Sequence, residues 1–337
     1  MFLKKKIPFY FSLLTAICGA FLTYLFLGSH TSARQAQVSA APTTLQTDNS
    51  CPTVSVRLHG YRFIRPWMYG ERECTFERLN PLQAALNRII DSAQSCGQVE
   101  EASVYLKLMD QPDWMTIHND KLYNPGSLLK VPIMITLLRK SEEEPGLLDK
   151  TVHVTALDPS IPAQTYPSQT IQPGHDYSVR ELLRYMICYS DNYATQQLSN
   201  FFTTAEYQQT FSDLGLTVPV PQDMAFGISA KDYSVFLRVL YNSTYLFFKD
   251  SEFATGLLTQ CDFQQGLLKG LPSGTLVAHK FGEMGDGKEH ILSESGLVYL
   301  ARNTYVITVM TRGTSMDALS GVISRISGAA YAEIAKL

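Results

Sequence analysis

The chain has 337 residues, of which 45% are hydrophobic and 18% are charged, so it is long enough for one large globular domain or two smaller ones. Its 28 lysines and arginines nearly balance its 31 aspartates and glutamates, which excludes a polyanion-binding composition, and no nucleic-acid partner is expected. The glycines Gly282, Gly285 and Gly287 lack the spacing of a dinucleotide fingerprint, and the sequence predicts no cofactor.

The N-terminal 28 residues differ from the rest of the chain. Lysines at positions 4–6 precede residues 7–28, which carry no charge. As a helix, this stretch would be about 33 Å long, enough to cross a hydrocarbon core of about 30 Å. The basic residues hold the N-terminus in the cytoplasm, so residues 1–28 predict a short cytoplasmic end and an uncleaved single-pass anchor. A cleaved signal peptide is the alternative, although its apolar region is usually shorter, about 7–15 residues.

Residues 29–50 are small and polar, with too few large apolar side chains to pack, and they predict a flexible tether. One mixed domain is then expected over residues 51–337, on the outer face of the membrane. The cysteine spacing of this domain matches no metal site. One disulfide among Cys51, Cys74 and Cys96 is predicted for an oxidising compartment, and free buried thiols are the alternative.

The first predicted elements of the domain are a flap, a helix and a hairpin. Residues 81–90 carry apolar side chains at helical spacing. Residues 101–108 and 113–119 alternate in polarity around a turn-forming Asp-Gln-Pro-Asp sequence, which indicates a β-hairpin. Four aromatic side chains of the sequence GYRFIRPWMYG are expected to pack on the domain as an apolar flap: Tyr61, Phe63, Trp67 and Tyr69.

The middle of the domain is predicted to be mostly helical. Ser178 and Glu181 have the spacing of a capping box at the start of the helical sequence VRELLRYMICY. Further helices are predicted near residues 192–202, 204–214, 229–243 and 251–260.

Strand patterns return in residues 274–284, 295–302 and 304–312, and a closing helix carries apolar side chains on one face from Leu319 to Ile326. Strands at the two ends of a domain meet most easily in one antiparallel sheet. The element order therefore predicts an α+β fold, with an antiparallel sheet, flanking helices and a helical subdomain.

The motif with the clearest chemistry lies in residues 123–138, YNPGSLLKVPIMITLL. Pro125 and Gly126 indicate a helix entry, so Ser127 is expected near a helix N-terminus, where unpaired N–H groups and the positive dipole favour an anion. Lys130 follows one turn later on the same face. Burial or a second cation can lower a lysine pKa from about 10.4 by about 3, and Lys130 would then deprotonate Ser127 as in Ser-Lys enzymes.

An S-x-x-K sequence by itself is common by chance, and a capping serine beside a solvated lysine is the competing interpretation. Two later segments favour the catalytic interpretation. Residues 190–192, Ser-Asp-Asn, place a hydroxyl and an amide between two predicted helices. Residues 280–282, Lys-Phe-Gly, lie on a predicted strand whose edge can hydrogen-bond an extended substrate.

Together and in this order, these three elements resemble the signature set of the penicillin-recognising serine enzymes, most closely their class A β-lactamase-like branch. The resemblance covers residues 80–337 and implies a β-lactamase/transpeptidase-like fold. It also implies a bacterial protein, so the expected location is the bacterial cytoplasmic membrane, with the catalytic domain periplasmic or extracellular.

The resemblance assigns roles residue by residue. It implies that Ser127 is the acylated nucleophile, that Lys130 is its base and that Ser190 passes a proton to the leaving nitrogen. The backbone N–H groups of Ser127 and Glu283 would form the oxyanion hole. Lys280 would supply positive charge near the substrate carboxylate and near Ser190. The implied substrate-binding residues are Asn192, Lys280, Gly282 and Glu283.

Two departures from the family pattern bear on the reaction. Phe281 stands between the lysine and glycine of the third motif, where the family usually has a hydroxyl residue that helps bind the substrate carboxylate. The deacylating Glu-x-x-Asn pattern of class A enzymes is also missing between residues 192 and 228. Glu206 and Asp213 are expected on a solvated helix face, and Asp223 is the loop candidate for a deacylating base.

Hydrolysis of a β-lactam amide is the first function that the resemblance implies, with slow deacylation. The alternatives are a cell-wall D,D-peptidase acting on D-alanyl peptides and a non-turnover ectodomain that senses or binds β-lactams or peptidoglycan. A fold that has lost acylation is a further alternative. His279 and His290 flank the third motif without metal-ligand spacing and are expected to be strand histidines with satisfied rings.

Overall fold

A computed structural model of the chain describes residues 40–45, 53–63, 66–72, 74, 76–162, 166, 168–220, 226–285 and 288–337. The strands in these residues are β1 (Ala40–Leu45), β2 (Thr53–Leu58), β3 (Trp67–Arg72), β4 (Glu101–Leu108), β5 (Trp114–Ile117), β6 (Thr151–Val154), β7 (His175–Ser178), β8 (Val277–Gly285), β9 (His290–Val298) and β10 (Tyr305–Gly313). The α-helices are α1 (Asn80–Ser95), α2 (Lys130–Glu143), α3 (Val179–Cys188), α4 (Asn192–Leu198), α5 (Thr204–Asp213), α6 (Ala230–Tyr241), α7 (Phe248–Leu258) and α8 (Met316–Ile334).

Strands from both ends of the domain form one five-stranded antiparallel sheet in the order β5-β4-β10-β9-β8. The predicted hairpin supplies β4 and β5, and the three C-terminal strand patterns supply β8 to β10. This arrangement confirms the predicted α+β fold. The strand β8, which carries the third motif, lies at one edge of this sheet.

The sheet separates two cores because side chains of a strand alternate between its faces. In the central strand β10, Val306 and Met310 pack against the helical block around α2, α3 and α6. The intervening Ile307 and Val309 pack instead against α1 and α8. The helical block therefore covers one face of the sheet, and the two terminal helices of the domain cover the other.

The helical block contains the predicted helices with small shifts at their ends. The helix predicted near residues 192–202 is shorter and ends at Leu198, where a single 3-10 turn follows. The capping box of α3 is confirmed: the Glu181 backbone N–H donates to Ser178 Oγ over 3.2 Å, and the Ser178 N–H donates to the Glu181 carboxylate over 2.7 Å. Such a cap contributes about 1 kcal/mol to helix stability.

The first three strands form a separate antiparallel sheet in the order β1-β2-β3. Its attachment to the domain includes Glu71 of β3, which ion-pairs with the buried Arg238 of α6 at 3.4 Å. The predicted apolar flap is only partly correct. Tyr69 packs on the core, but Trp67 is 52% exposed and Phe63 is 84% exposed, and Tyr61 is also exposed. A small antiparallel sheet can keep one face in water, so its segment need not bury every ring.

The strand β1 lies inside residues 29–50, which the sequence predicts as a flexible tether. Residues 40–45 differ from that prediction because they pair with β2. The other residues of the tether and all of the predicted anchor lie outside the described residues. In the part of the chain that the structure describes, no helix has the length and apolarity to cross a bilayer, and the anchor stays a prediction.

The cysteines divide into two groups. Cys74 is disulfide-bonded, in agreement with the predicted bridge in the first part of the domain. Cys96 is a free exposed thiol, so it takes no part in that bridge. Cys188 and Cys261 are free and buried, as the alternative interpretation expected.

Candidate active site

The S-x-x-K motif lies at the entrance of α2. Residues Gly126–Leu129 form one 3-10 turn that carries Ser127 and continues into α2 at Lys130, so the predicted position of the serine at a helix start is confirmed. Gly126 has φ +51°, a left-handed conformation that favours glycine. A Cβ at this residue would also lie 2.5 Å from the Glu283 carbonyl oxygen. The turn therefore packs directly against strand β8.

Gly282 is the residue of β8 that permits this contact. A Cβ at Gly282 would lie 2.3 Å from the Pro125 carbonyl oxygen and 2.7 Å from the Leu128 backbone nitrogen. Neither neighbouring atom belongs to a flexible side chain, so a larger residue would push the strand away from the turn. Gly282 thus holds the third motif against the nucleophile by close backbone packing.

Lys130 is the centre of a compact polar cluster. Only 4% of its surface is exposed, and its Nζ lies 3.0 Å from Ser127 Oγ and 3.1 Å from Ser190 Oγ. The same amine lies 2.6 Å from Asn192 Oδ1 and also donates to the Ser190 carbonyl oxygen. The structure thus joins the first two motifs through one buried nitrogen.

The surroundings of Lys130 favour the neutral amine. Burial holds its pKa well below the ordinary range, and the positive charge of Lys280 lowers it further. The charges of Asp191 and Glu283 oppose this shift but do not reverse it. A neutral amine has a free lone pair, and this one lies within hydrogen-bond distance of a serine hydroxyl. That is the geometry a general base needs.

Ser190 is held in position by its backbone. It is buried and has φ +55°, which costs a non-glycine residue about 1 kcal/mol. The next residue, Asp191, fixes this conformation because its carboxylate accepts from Tyr193 N–H and Ile171 N–H, each over 2.9 Å, and from Thr170 Oγ1 over 3.0 Å. Asp191 is the N-cap of α4, a role that its position before the predicted helix makes readable from the sequence but that was not predicted.

Asn192 links the cluster to the loop before β7. Its side-chain nitrogen donates to the Pro162 carbonyl oxygen over 2.9 Å, while its oxygen accepts from Lys130. Ile161 and Pro162 form one wall of the cavity in front of the nucleophile. Asn192 therefore sets the position of that wall as well as contacting the base.

Lys280 takes a different position from the one expected. It is fully buried, its Nζ donates to the Phe281 carbonyl oxygen over 3.1 Å, and it lies 4.3 Å above the Phe281 ring. The Phe281 ring stacks on Phe263 at 4.2 Å, and the edge of Tyr166 covers both rings. The ammonium group is near enough to influence Lys130 electrostatically, but Lys280 does not line the cavity.

The cavity in front of Ser127 has a volume of about 720 Å³. Four of the predicted site residues line it: Ser127, Lys130, Asn192 and Glu283. Ser190 contacts Lys130 from behind, and Gly282 packs under the serine turn. The other lining residues are mostly apolar or neutral, and they include Leu129, Ile133, Ile161, Phe226, Met284 and Met316.

Glu206 and Asp213, two acids of the segment after the second motif, do not line this cavity. Glu206 caps α5 and pairs with Lys140 at 3.0 Å. The prediction that Asp213 is solvated is wrong: Asp213 is buried and accepts from Tyr245 over 2.7 Å and from Gln209 over 2.6 Å, and burial raises its pKa. Asp223 lies outside the described residues. Among the described residues, Glu283 is the only carboxylate side chain that lines the cavity.

The two histidines have different environments. His279 is buried on β8, and its Nδ1 lies 2.7 Å from Glu294 Oε1, but its buried Nε2 has no hydrogen-bond partner among the described residues, so the expected satisfied ring is confirmed at one nitrogen only. His290, at the start of β9, lines the cavity, which the sequence analysis did not predict. The antiparallel pairing of Gly285 with His290 brings this ring to the cavity wall, and the pairing register was not readable from local sequence.

An antiparallel five-stranded sheet between two helical layers, with S-x-x-K at a helix entry facing a strand edge, is the fold of the penicillin-recognising serine enzymes. Within this class, the chain belongs to the beta-lactamase enzyme family, whose model matches residues 81–334. No curated protein sequence matches the chain.

Solved structures agree with this assignment. A β-lactamase from Chitinophaga pinensis is 24% identical, with a TM-score of 0.65, and the match covers 75% of this chain and 99% of that one. PBP-A is 20% identical, with a TM-score of 0.63 and coverage of 77% and 97%. A class A β-lactamase representative from Bacteroides cellulosilyticus is 17% identical, with a TM-score of 0.66 and coverage of 76% and 99%. At these identities, the TM-scores show a shared fold.

Proposed function

We propose that the chain is a serine hydrolase that forms an acyl-enzyme on Ser127. The observation that carries this proposal is the buried Lys130 amine of lowered pKa, 3.0 Å from Ser127 Oγ. The amine takes the Oγ proton as the oxygen bonds to the substrate carbonyl carbon. The tetrahedral intermediate then collapses, the carbon–nitrogen bond breaks, and the proton passes from Lys130 through Ser190 Oγ to the leaving nitrogen. An ester on Ser127 remains.

The oxyanion hole in this proposal consists of the backbone N–H groups of Ser127 and Glu283. Its support is the close packing of β8 on the serine turn, which Gly126 and Gly282 permit. Each donor of this kind typically contributes about 10²–10³ in rate. Lys280 would act through its charge on Lys130 rather than by contact with substrate.

A β-lactam amide is the proposed substrate, and a D-alanyl peptide of the cell wall is the alternative. Membership of the beta-lactamase enzyme family supports the first. A single-residue mutant of PBP-A has been solved as an acyl-enzyme complex with penicillin G. The structure of that fold-related protein supports a covalent reaction of this chain with penicillins. It bears on formation of the acyl-enzyme and not on the rate at which the acyl group is released.

A second candidate function is a non-turnover β-lactam or peptidoglycan sensor or binding ectodomain. The observation that favours it is the surroundings of the nucleophile: Glu283 is the only carboxylate side chain among the described residues of the cavity wall. A deacylating water needs a base beside it, and Glu283 lies on the strand that would bind the substrate backbone. We therefore expect acylation to be faster than release.

Intact-mass spectrometry after incubation with benzylpenicillin, and separately with its methyl ester, tests the proposal. We expect the mass of the whole β-lactam to be added once, with no addition to the Ser127→Ala variant. A long-lived adduct supports the sensor, rapid loss with accumulation of the hydrolysed lactam supports the β-lactamase, and release of D-alanine from a D-alanyl-D-alanine peptide supports the peptidase. No adduct with either lactam, together with no hydrolysed lactam and no released D-alanine, would contradict the acyl-enzyme.

We further propose, from the sequence, that residues 7–28 anchor the protein in the bacterial cytoplasmic membrane with the domain outside. Fractionation of cells that express the full chain tests this, because an anchored protein resists extraction by salt and high pH but dissolves in detergent. Recovery of a shortened chain in the soluble fraction would instead indicate cleavage of a signal peptide.

A further inference from the structure

The charges around the cavity differ from those that a carboxylate-bearing substrate needs. Lys130 and His290 are the only basic residues among the described residues that line the cavity, and Lys130 lies at its buried end. A substrate carboxylate would therefore find no exposed fixed cation among the described residues of this cavity wall.

The third-motif lysine does not fill this role. Its ammonium group bonds to the Phe281 carbonyl oxygen and faces the Phe281 ring, which Phe263 and Tyr166 cover. Burial lowers the pKa of Lys280, which disfavours its positive charge. Lys280 is fully buried and does not line the cavity, so a carboxylate bound in the cavity has no contact with this ammonium group.

The cavity wall instead carries a negatively charged side chain. Glu283 is half-buried on β8, one residue beyond Gly282, and it lines the cavity. Its charge acts on the groups around the nucleophile: it opposes the lowering of the Lys130 pKa, and with burial and Asp317 it raises the pKa of Tyr166. Glu283 thus places a carboxylate in the wall of the cavity that also contains Ser127 and Lys130.

We propose that the site selects acyl donors that carry no carboxylate beside the scissile bond, because Glu283 in the cavity wall repels such a group and the buried Lys280 does not line the cavity. This inference rests on the proposed acylation of Ser127. The favoured substrates are neutral or cationic amides and esters, with apolar parts against Ile133, Phe226 and Met284. Carboxylate-bearing penicillins are then slow acylating agents of this protein.

Benzylpenicillin and its methyl ester test the inference, because they share the scissile amide and the acyl side chain and differ in one charge. The rate of adduct formation on the full chain is measured for each by intact-mass time courses at pH 8, where histidine side chains are ordinarily neutral. Each rate is divided by the rate at which hydroxide hydrolyses the same compound. This division corrects for the intrinsic reactivity of the lactam amide. We expect the corrected ester rate to exceed the acid rate by about tenfold, which corresponds to a charge repulsion of about 1.4 kcal/mol.

The variant Glu283→Gln separates charge from size, because it keeps the shape of the side chain and removes its charge. We expect the ester-to-acid ratio to fall toward one, mainly because the acid reacts faster. A ratio at or below one in the unaltered protein would overturn the inference and leave the acyl-enzyme proposal intact. A high ratio unchanged by Glu283→Gln would also overturn it, since the ester would then be favoured by its shape. If neither lactam adds to Ser127 or is hydrolysed, and no D-alanine is released from the peptide, the acyl-enzyme proposal itself fails and the inference with it.

Discussion

Two lysines lie close to the nucleophile, and both are buried, yet their surroundings differ completely. The amine of Lys130 is surrounded by oxygens of Ser127, Ser190 and Asn192 and opens toward the cavity. The amine of Lys280 lies above an aromatic ring and bonds to the adjacent main-chain carbonyl. Burial lowers the pKa of both.

The comparison shows that a lowered pKa does not by itself make a lysine a base. A base also needs an acidic proton within reach and a route for that proton to the leaving group, and only Lys130 has Ser127 on one side and Ser190 on the other. The contribution of Lys280 is electrostatic, because its charge disfavours the protonated form of Lys130. The predictions below separate these two roles.

The substitution Lys130→Met should have the largest effect. It keeps an unbranched side chain of similar length and removes the base, so we expect the rate of Ser127 acylation to fall by about 10³-fold. The rate is measured with the better of the two lactams by intact-mass time courses. Urea denaturation at pH 7 serves as the control, and a stable folded variant with near-normal acylation would contradict the assignment of the base.

Removal of the Phe281 ring should mainly lower the stability of the folded protein. We expect Phe281→Ala to lower the free energy of unfolding by about 3 kcal/mol, because it removes a buried ring that stacks on Phe263. Urea denaturation measures this. The matched control is Phe248→Ala at an 82% exposed position, which should change stability by less than about 0.5 kcal/mol. Equal effects of the two substitutions would show that the ring cluster is not packed as described.

Gly282, which packs strand β8 against the serine turn, gives a sharper test of this packing. Gly282→Ala introduces a Cβ 2.3 Å from the Pro125 carbonyl oxygen, so we expect a loss of about 2 kcal/mol in unfolding free energy and slower acylation. Gly256→Ala is the matched control, because nothing lies within 4 Å of the added Cβ in α7. That substitution should raise stability by about 0.5–1 kcal/mol. An unaffected Gly282→Ala variant would contradict the contact of β8 with the serine turn.

Removal of Lys280 should have the smallest effect on the acylation rate. It should also change the pH dependence of that rate. In Lys280→Met the positive charge beside Lys130 is lost, so protonated Lys130 becomes less unfavourable and its pKa rises. The rise of the acylation rate with pH should therefore move to higher pH, and the rate at neutral pH should fall by about tenfold. A uniform fall at every pH would instead indicate that Lys280 touches the substrate.

The fold and the position of Ser127 and Lys130 at a helix entry were predictable because they depend on local patterns. The capping box at Ser178, the helix entry at Ser127 and the strand periodicity near both ends of the domain each involve a few consecutive residues. The polar cluster of Lys130 was predictable from the order of the motifs by family resemblance, and the structure places Ser190 and Asn192 beside it.

The parts that were not predictable depend on contacts between distant segments. The burial of Asp213 depends on Tyr245, which follows it by 32 residues. The aromatic cluster beside Lys280 includes Phe263 and Tyr166, which nothing in the sequence around Lys280 indicates. The position of His290 on the cavity wall follows from the register of β8 and β9.

The protonation of Lys130 also makes stability depend on pH. Because its folded-state pKa lies below the unfolded value of 10.5, the unfolded chain binds more protons than the folded one between these two values. The free energy of unfolding contributed by this group therefore rises with pH through that window and is constant below it. The Lys130→Met variant should lack this rise.

The most direct measurement is an NMR titration of the lysine side chains in the folded protein, with the Lys130 resonance assigned by its loss in Lys130→Met. We expect the pKa of the Lys130 amine to lie well below 10.5, with the pH dependence of Ser127 acylation following the same transition. An amine that titrates at the ordinary lysine value, with acylation following some other group, would contradict the assignment of Lys130 as the base.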